Sequence, residues 1–144
     1  MNIKEFCEKH DACSDGYIRN EAFKDMNDFF KNSPHNADVI WAACEVLDEK
    51  DRMRFACWCV RQIWHLLEDD SIKNAIEVAE AYCRGEATKE ELGSAVWDPL
   101  DAASYAASYA AGYAAWAASY AAGDAALANQ VAYLRENFAP DWSA

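Results

Sequence analysis

The fold class follows from one stretch, residues 48–67, which reads DEKDRMRFACWCVRQIWHLL. Asp48 and Asp51 open this stretch in the manner of a helix start. Apolar side chains then recur at steps of three and four along it, at Phe55, Ala56, Cys59, Ile63, Leu66 and Leu67. This spacing predicts an amphipathic helix with one side against a core.

The residues that follow predict two further helices. Asp70 is expected to cap the first, whose apolar residues again repeat at three and four, and Gly85 is expected to end it in a left-handed conformation. Thr88 and Glu91 have the form of a capping box for a short helix that ends near Trp97.

The N-terminal third predicts three short helices. Asn2 and Glu5 form a capping box for the first, and Asp15-Gly16 is expected to turn the chain after it. A second helix is predicted from about Asn20 to Lys31, because apolar residues fall there at helical spacing. Ser33-Pro34 is then expected to start a third helix as N-cap and first helical residue.

The C-terminal third carries an alanine-rich pattern with no charge between Asp101 and Asp124. Its aromatic residues, each followed by two alanines, are Tyr105, Tyr109, Tyr113, Trp116 and Tyr120. A helix without a charged face is normally surrounded by protein, so we expect this stripe to pack inside the domain or to form a homodimer interface. A continuous helix from Pro99 to Phe138 would be roughly 60 Å long. We therefore expect a break at Gly123-Asp124.

Because no sustained alternation of apolar and polar residues indicates a strand, the sequence predicts an all-α protein. We expect a compact multi-helix bundle around a long Ala/Tyr-rich C-terminal helix or helical hairpin. One domain, 1–144, would hold short N-terminal helices in 1–47, amphipathic helices in 48–97 and the Ala/Tyr-rich segment in 98–138. The six cysteines are interpreted as reduced, and the first residues lack an apolar run of signal-peptide length. Both features favour the cytoplasm.

The charge balance narrows the classes of partner. Thirteen Lys and Arg stand against twenty-five Asp and Glu, which gives a formal net charge of −12. Phosphate backbones and anionic lipids would be repelled on average, so we expect neither direct nucleic-acid binding nor a membrane partner. An acidic surface can instead steer a protein toward a basic partner, although the same charge is also typical of a surface that only maintains solubility.

The sequence offers no recognisable catalytic apparatus. None of the three histidines, His10, His35 and His65, lies with a nucleophile and an orienting carboxylate. Cys7, His10 and Cys13 form a C-x2-H-x2-C pattern, but their side chains diverge on a helix and a fourth ligand is not identified. We therefore predict no enzyme activity, no metal site and no cofactor.

Candidate contacts for a protein partner come from acidic clusters and exposed tryptophans. The tryptophans of the first two thirds include Trp41 and Trp58, and Trp58 lies off the centre of the apolar face of its helix. A tryptophan left at the surface would be a natural binding anchor. The predicted partner-binding residues are Glu68, Asp69, Asp70, Glu90, Glu91 and Trp58. Helix capping and solubility are the alternative roles of these carboxylates.

Two segments and the alanine repeat also carry a family resemblance. The segments RFACWCVRQIWHLL (54–67) and AIEVAEAYCRGEATKEEL (75–92), with the alanine repeat of 102–126, resemble alanine-rich helical immunity proteins of bacterial toxin loci, which have relatives in phage genomes. The resemblance spans roughly half of the chain. It implies a helical protein that neutralises a toxin or a host defence complex, such as a CRISPR effector, without catalytic residues. The chain carries tyrosine and serine where many of those proteins have arginine or histidine.

Together these observations predict a non-enzymatic inhibitor that binds a partner protein through acidic and aromatic side chains. Two other interpretations stay open at this point. One is a structural or self-associating helical module that uses the alanine–tyrosine helix, and the other is a small enzyme or ligand-binding protein with an internal pocket near His10 or His65.

Overall fold

The computed structural model describes residues 1–62, 64–68, 70–95 and 124–143, and every regular element in these ranges is helical. The α-helices are α1 Ile3–Lys9, α2 Ser14–Asn20, α3 Met26–Asn32, α4 Asn36–Val46, α5 Glu49–Arg61, α6 Asp70–Arg84, α7 Lys89–Ala95 and α8 Asp124–Asn137. A 3-10 turn, Trp64–Leu66, lies between α5 and α6. The predicted all-α class is confirmed.

The chain divides into two compact units. The N-terminal unit comprises Met1–Leu47 and Asp124–Ala144, and the central unit comprises Asp48–Gly123. The division after Leu47 coincides with the predicted boundary between the short N-terminal helices and the amphipathic helices. That the whole chain forms one domain stays a prediction.

In the N-terminal unit, α8 packs along α4 over a core of large apolar side chains. The fully or nearly fully buried members include Phe6, Val39, Val131 and Leu134. Arg135 of α8 donates hydrogen bonds to the carbonyl oxygens of Phe30, at 2.6 Å, and Ser33, at 3.1 Å. These bonds satisfy carbonyl groups that the end of α3 leaves without helical partners.

In the central unit, α5 packs against α6, and α6 packs against α7. The core cluster comprises Met53, Ala56, Cys57, Val60, Leu67, Ile76, Ala79 and Leu92, all of which are buried. Phe55, Ala56, Cys59 and Leu67 are buried as predicted, while Ile63 and the side chain of Leu66 lie outside the described residues. The predicted amphipathic helix is confirmed over α5, with a broader buried face that also includes Met53 and Val60. Its predicted extension to Leu67 is wrong, because α5 ends at Arg61 and Trp64–Leu66 forms a separate 3-10 turn.

The predicted helix ends are confirmed at four places. Asn2 and Glu5 form the capping box of α1, and the carboxylate of Asp48 accepts a hydrogen bond from the backbone N–H of Asp51 at 2.8 Å. The Thr88 hydroxyl and the Glu91 carboxylate each accept a hydrogen bond from the other residue's backbone N–H. Gly85 follows α6 at φ +77°, as predicted. Asp70, by contrast, was predicted as the N-cap of α6 but is its first helical residue.

The prediction of one helix from about Asn20 to Lys31 is wrong in its first half. α2 ends at Asn20, and α3 begins only at Met26. The side chain of Asp25 accepts a hydrogen bond from the backbone N–H of Asp28 at 2.9 Å. An N-cap of this kind sets where the helix starts, and apolar spacing alone does not reveal it.

The predicted turn at Asp15-Gly16 is also wrong, because both residues lie inside α2. Cys13 is the N-cap of α2, and its Sγ atom accepts a hydrogen bond from the backbone N–H of Gly16 at 3.4 Å. Asp and Gly commonly form turns, but here the thiol cap and the tertiary contacts of α2 hold them in a helix.

The predicted start of a helix at Ser33-Pro34 is wrong by two residues. α4 begins at Asn36, with His35 at the N-cap position. The Ser33 hydroxyl instead accepts a hydrogen bond from the backbone N–H of His35 at 3.2 Å and donates one to the Asn20 side chain at 2.9 Å. Ser33 therefore closes α3 and joins it to α2.

The predicted aromatic stripe at Tyr105, Tyr109, Tyr113, Trp116 and Tyr120 lies outside the described residues, and so does the predicted break at Gly123. Within the segment predicted for 98–138, the described helix is α8. None of the described helices is long and apolar enough to cross a lipid bilayer.

Candidate functional site

A cleft of about 270 Å³ opens in the N-terminal unit, between α1, α2, α3 and α4. Its walls are mostly apolar and are formed by Ile3, Phe6, Met26, Phe29, Trp41 and Ala42. All of these side chains except Trp41 are buried. The cleft is therefore a recess in the core of this unit rather than a depression among surface side chains.

Phe6 supports the aromatic wall of the cleft. Its ring is 1% exposed and lies edge-on to Trp41, with ring centroids 5.9 Å apart. A second edge-on contact joins it to Trp142 at 5.8 Å, and the ring of His10 stacks on it at 4.4 Å. Trp41 is 38% exposed, so its indole is accessible at the mouth of the cleft while the buried Phe6 ring packs against it.

One end of the cleft is polar and is closed by hydrogen bonds. Asp38 accepts hydrogen bonds from the Nη2 and Nε atoms of Arg19, at 3.0 and 3.2 Å, and from the side-chain amide of Asn20 at 2.7 Å. The hydrogen bonds to Asp38 raise the pKa of Arg19 above its ordinary value. The negative charge of Asp38 is therefore largely compensated within the wall.

Asp11 gives the cleft a second carboxylate, at an exposed position. Its backbone has φ +51°, a left-handed conformation that Asp adopts more readily than most residues. No ion pair of Asp11 occurs in the part of the chain that the structure describes. Since Arg19 is committed to Asp38, Asp11 is the carboxylate of this cleft that is available to a binding partner.

Cys7 and Cys13 both line the cleft, and both are free thiols. Burial raises the pKa of Cys7, and the nearby thiol of Cys13 and carboxylate of Asp38 raise it further. A thiol with a raised pKa is a poor metal ligand and a poor nucleophile at neutral pH.

His10, the middle residue of the C-x2-H-x2-C pattern, does not line the cleft with the two cysteines. Its Nδ1 atom lies 3.4 Å from the Glu45 carboxylate, and its Nε2 atom is buried without a hydrogen-bond partner among the described residues. No group of three or more His, Cys, Asp or Glu side chains in residues 1–62, 64–68, 70–95 and 124–143 is placed to hold a metal ion.

The predicted partner-binding residues belong to the central unit, and none of them lines the cleft. Glu68 and Asp70 are exposed at the start of α6, where Asp70 lies 4.0 Å from Lys73, and Asp69 is outside the described residues. Glu90 and Glu91 are exposed in the first turn of α7. The capping role considered for these carboxylates applies to Glu91, whose side chain belongs to the α7 capping box.

Trp58 is half-buried on α5, which agrees with the prediction that it lies off the centre of the apolar face. Trp41 is more exposed, and among the described tryptophans it is the one that the structure places at the rim of a cleft. Sequence reasoning named Trp41 as a tryptophan that could anchor a partner but did not find the cleft. The sequence does hold one signal for it: Trp41 follows Asp38 by three residues on α4, which places both side chains on the same face of that helix.

No protein-family model, curated protein or solved structure matches the chain. The resemblance to alanine-rich immunity proteins therefore stays a prediction.

Proposed function

We propose that this protein is a non-enzymatic inhibitor that acts by binding another protein. The partner would be a toxin or a host defence complex, such as a CRISPR effector, which corresponds to an immunity protein or a phage anti-defence protein. The observation that carries the proposal is an exposed, rigidly supported Trp41 at an apolar cleft in a protein with a net charge of −12.

Two physical arguments support this function. Tryptophans held at a rim and backed by a packed core are frequent binding anchors, because they bury a large area with little loss of side-chain freedom. A strongly acidic surface accelerates encounters with a basic protein and repels free nucleic acid. A basic groove that normally accepts phosphate groups would suit such a surface, so the inhibitor would act as a mimic of nucleic acid.

The exposed carboxylates of the central unit serve this proposal as steering groups. Glu68, Asp70 and Glu90 are exposed. Their charges are screened by salt over about 10 Å at 0.1 M ionic strength, so their contribution should fall as salt rises. Contacts made by Trp41 should persist at high salt, since they depend on apolar burial.

The test begins with affinity capture by the tagged full-length chain from a bacterial lysate that contains nucleoprotein defence complexes. Each captured protein is then purified, and its own activity is measured with the chain added at increasing molar ratios. We expect inhibition that is complete at a fixed stoichiometry. Unchanged activity of every captured protein at saturating chain would contradict the proposal.

A matched pair of variants separates steering from general charge effects. One variant carries Glu68→Gln, Asp70→Asn and Glu90→Gln, and the control carries Glu8→Gln, Glu21→Gln and Glu136→Gln, which remove the same charge from exposed sites of the N-terminal unit. We expect the first variant to associate more slowly and with a weaker salt dependence than the control. Equal association rates would show that the carboxylates of the central unit do not steer the partner.

Self-association of the chain is the alternative to inhibition of a partner. Analytical ultracentrifugation of the chain alone would then show a dimer that resists dilution. A monomer at micromolar concentration, together with a stoichiometric complex, supports inhibition instead.

A further inference from the structure

We infer that the cleft of the N-terminal unit takes one apolar side chain of the partner protein, presented next to a lysine or arginine. This inference rests on the proposed function, and it names the chemistry by which the partner is recognised. The observations that carry it are the volume of the cleft, its buried apolar walls, and the charges at its mouth.

The volume fits a single large side chain. The volume of the cleft is about 270 Å³. It lies just below the range of about 300–1,000 Å³ that is usual for sites of drug-sized ligands and cofactors. An aromatic or branched aliphatic side chain can enter such a cleft, whereas an extended cofactor cannot be enclosed.

The walls favour an apolar occupant. The side chains of Phe6, Met26 and Phe29 are buried, and they have no N–H or O–H group with which to hydrogen-bond an occupant. Transfer of an apolar side chain from water to such a surface is favourable in proportion to the area that it buries. The Met26 thioether can adapt to occupants of different shape, while Phe6 keeps Trp41 in place.

The charges favour a neighbouring cation. Of the described residues that line the cleft, Asp11 and Asp38 carry carboxylates and none carries a cationic side chain. Asp38 is compensated by Arg19, so the uncompensated charge at the mouth comes from Asp11. An ammonium or guanidinium group at the mouth can approach Asp11 and the face of the Trp41 indole, which also attracts cations.

The test uses three nine-residue peptides as probes of the full-length, 15N-labelled chain. The first has one phenylalanine at the centre of alanines with two lysines at each end. The second replaces the phenylalanine by alanine, and the third replaces all four lysines by glutamate. Binding is followed by NMR at the indole N–H of Trp41, which is assigned through a Trp41→Phe variant.

We expect the lysine–phenylalanine peptide to shift the Trp41 signal and to bind at least about tenfold more tightly than either control peptide. Equal binding of the alanine peptide would show that the cleft does not take the side chain. Equal binding of the glutamate peptide would show that the carboxylates do not select a cation. Either result overturns the inference.

Two variants test the site itself. Outside its chain neighbours and its own helix backbone, a Cβ atom at Gly16 would meet the Cys13 Sγ atom at 3.5 Å, so a side chain can start at this position of the cleft lining, and Gly16→Leu is used to occupy the cleft. We expect this variant to lose peptide binding while its circular dichroism stays unchanged. Asp11→Asn keeps a residue type that tolerates left-handed φ, and we expect it to weaken binding. Glu8→Gln, an equal charge change outside the cleft lining, should bind like the unmodified chain.

The outcomes distinguish this inference from the proposed function. A partner that is inhibited equally by the unmodified chain and by Gly16→Leu would leave the inhibitor function in place and refute the cleft as its anchor. Selective peptide binding by a chain that inhibits none of its captured partners would support the cleft and contradict the inhibitor function.

Discussion

The guanidinium of Arg19 forms a two-bond fork with the carboxylate of Asp38, at 3.0 and 3.2 Å, and so joins α2 to α4 at the polar end of the cleft. The same carboxylate accepts a hydrogen bond from the side-chain amide of Asn20, and the side-chain oxygen of Asn20 accepts one from the hydroxyl of Ser33. Asn20 is only 3% exposed, and this network explains how a polar residue is accommodated there. The position of Asp38 in the cleft thus depends on contacts from α2 and from the end of α3.

Replacement of Arg19 by glutamine tests this dependence. The change removes the cation that compensates Asp38, so we expect a lower melting temperature and, at low salt, tighter binding of the lysine–phenylalanine peptide. Differential scanning calorimetry and the NMR titration measure the two effects. Arg19→Lys is the control, since it keeps the charge but cannot form the fork, and it should lie between the two proteins. Weaker peptide binding by Arg19→Gln would mean that Asp38 does not face the bound cation.

A second ion pair joins two helices of the central unit. Arg61 of α5 donates to both carboxylate oxygens of Glu80 of α6, at 2.8 and 2.6 Å, and its guanidinium lies 3.9 Å from the centroid of the Trp64 ring. Arg61 is 36% exposed, so solvent screens part of this interaction. We expect Arg61→Lys to lower the free energy of unfolding by about 1 kcal/mol, because lysine loses both the fork and the stacking on Trp64.

Urea unfolding followed by circular dichroism measures this loss, and a double-mutant cycle with Glu80→Gln assigns it to the pair. Lys4→Gln is the control. Lys4 pairs with Glu8 at 3.7 Å on the surface of α1, where both side chains are more than two-thirds exposed. A loss at Arg61 no larger than that at Lys4 would contradict a structural role for the interhelical pair.

The parts of the fold that sequence could predict are those set by residues close together in the chain. The capping boxes of Asn2 with Glu5 and of Thr88 with Glu91 each lie within four residues, and both are present. The apolar repeat of α5 is equally local, because a core-facing helix must return to the same side every three or four residues. These signals were sufficient for the class, for the starts of α1, α5 and α7 and for the end of α6.

The cleft could not be predicted, because its residues meet only after the helices pack. Arg19 and Asp38 are nineteen residues apart, and neither belongs to a recognisable motif. The boundary errors have a related cause. Cys13 is not among the usual N-cap residues, so Asp15-Gly16 suggested a turn where the thiol in fact starts α2.

Two glycines should respond in opposite ways to replacement by alanine. Gly16 lies inside α2, where an added Cβ would make an ordinary contact with the Cys13 Sγ atom at 3.5 Å. Gly16→Ala should therefore raise the free energy of unfolding by about 0.5–1 kcal/mol, through helix propensity and a less flexible unfolded chain. Gly85 has open space around its Cβ position but stands at φ +77°, so Gly85→Ala should lower it by about 1 kcal/mol.

Guanidinium unfolding of the two variants provides the measurement, and each glycine serves as the control for the other. Stabilisation by alanine at both positions would contradict the left-handed end of α6. Destabilisation at both would mean that Gly16 is needed for its backbone freedom and not as a helical residue.

The Cys57 thiol should make the stability of the protein depend on pH in the alkaline range. Burial raises its pKa from 9.0 to about 12 in the folded protein, while the unfolded thiol ionises near its ordinary value. Below pH 9 both states keep the proton, and between pH 9 and 12 the unfolded state loses it first, so the free energy of unfolding should fall as pH rises through this window. Urea unfolding between pH 8 and pH 11 measures the slope, and Cys57→Ala should show a shallower one. Equal slopes for the two proteins would contradict the burial of this thiol. Alkylation of the native protein at pH 8 gives a second check, because a buried Cys57 should react more slowly than the exposed Cys13, and equal rates would also contradict its burial.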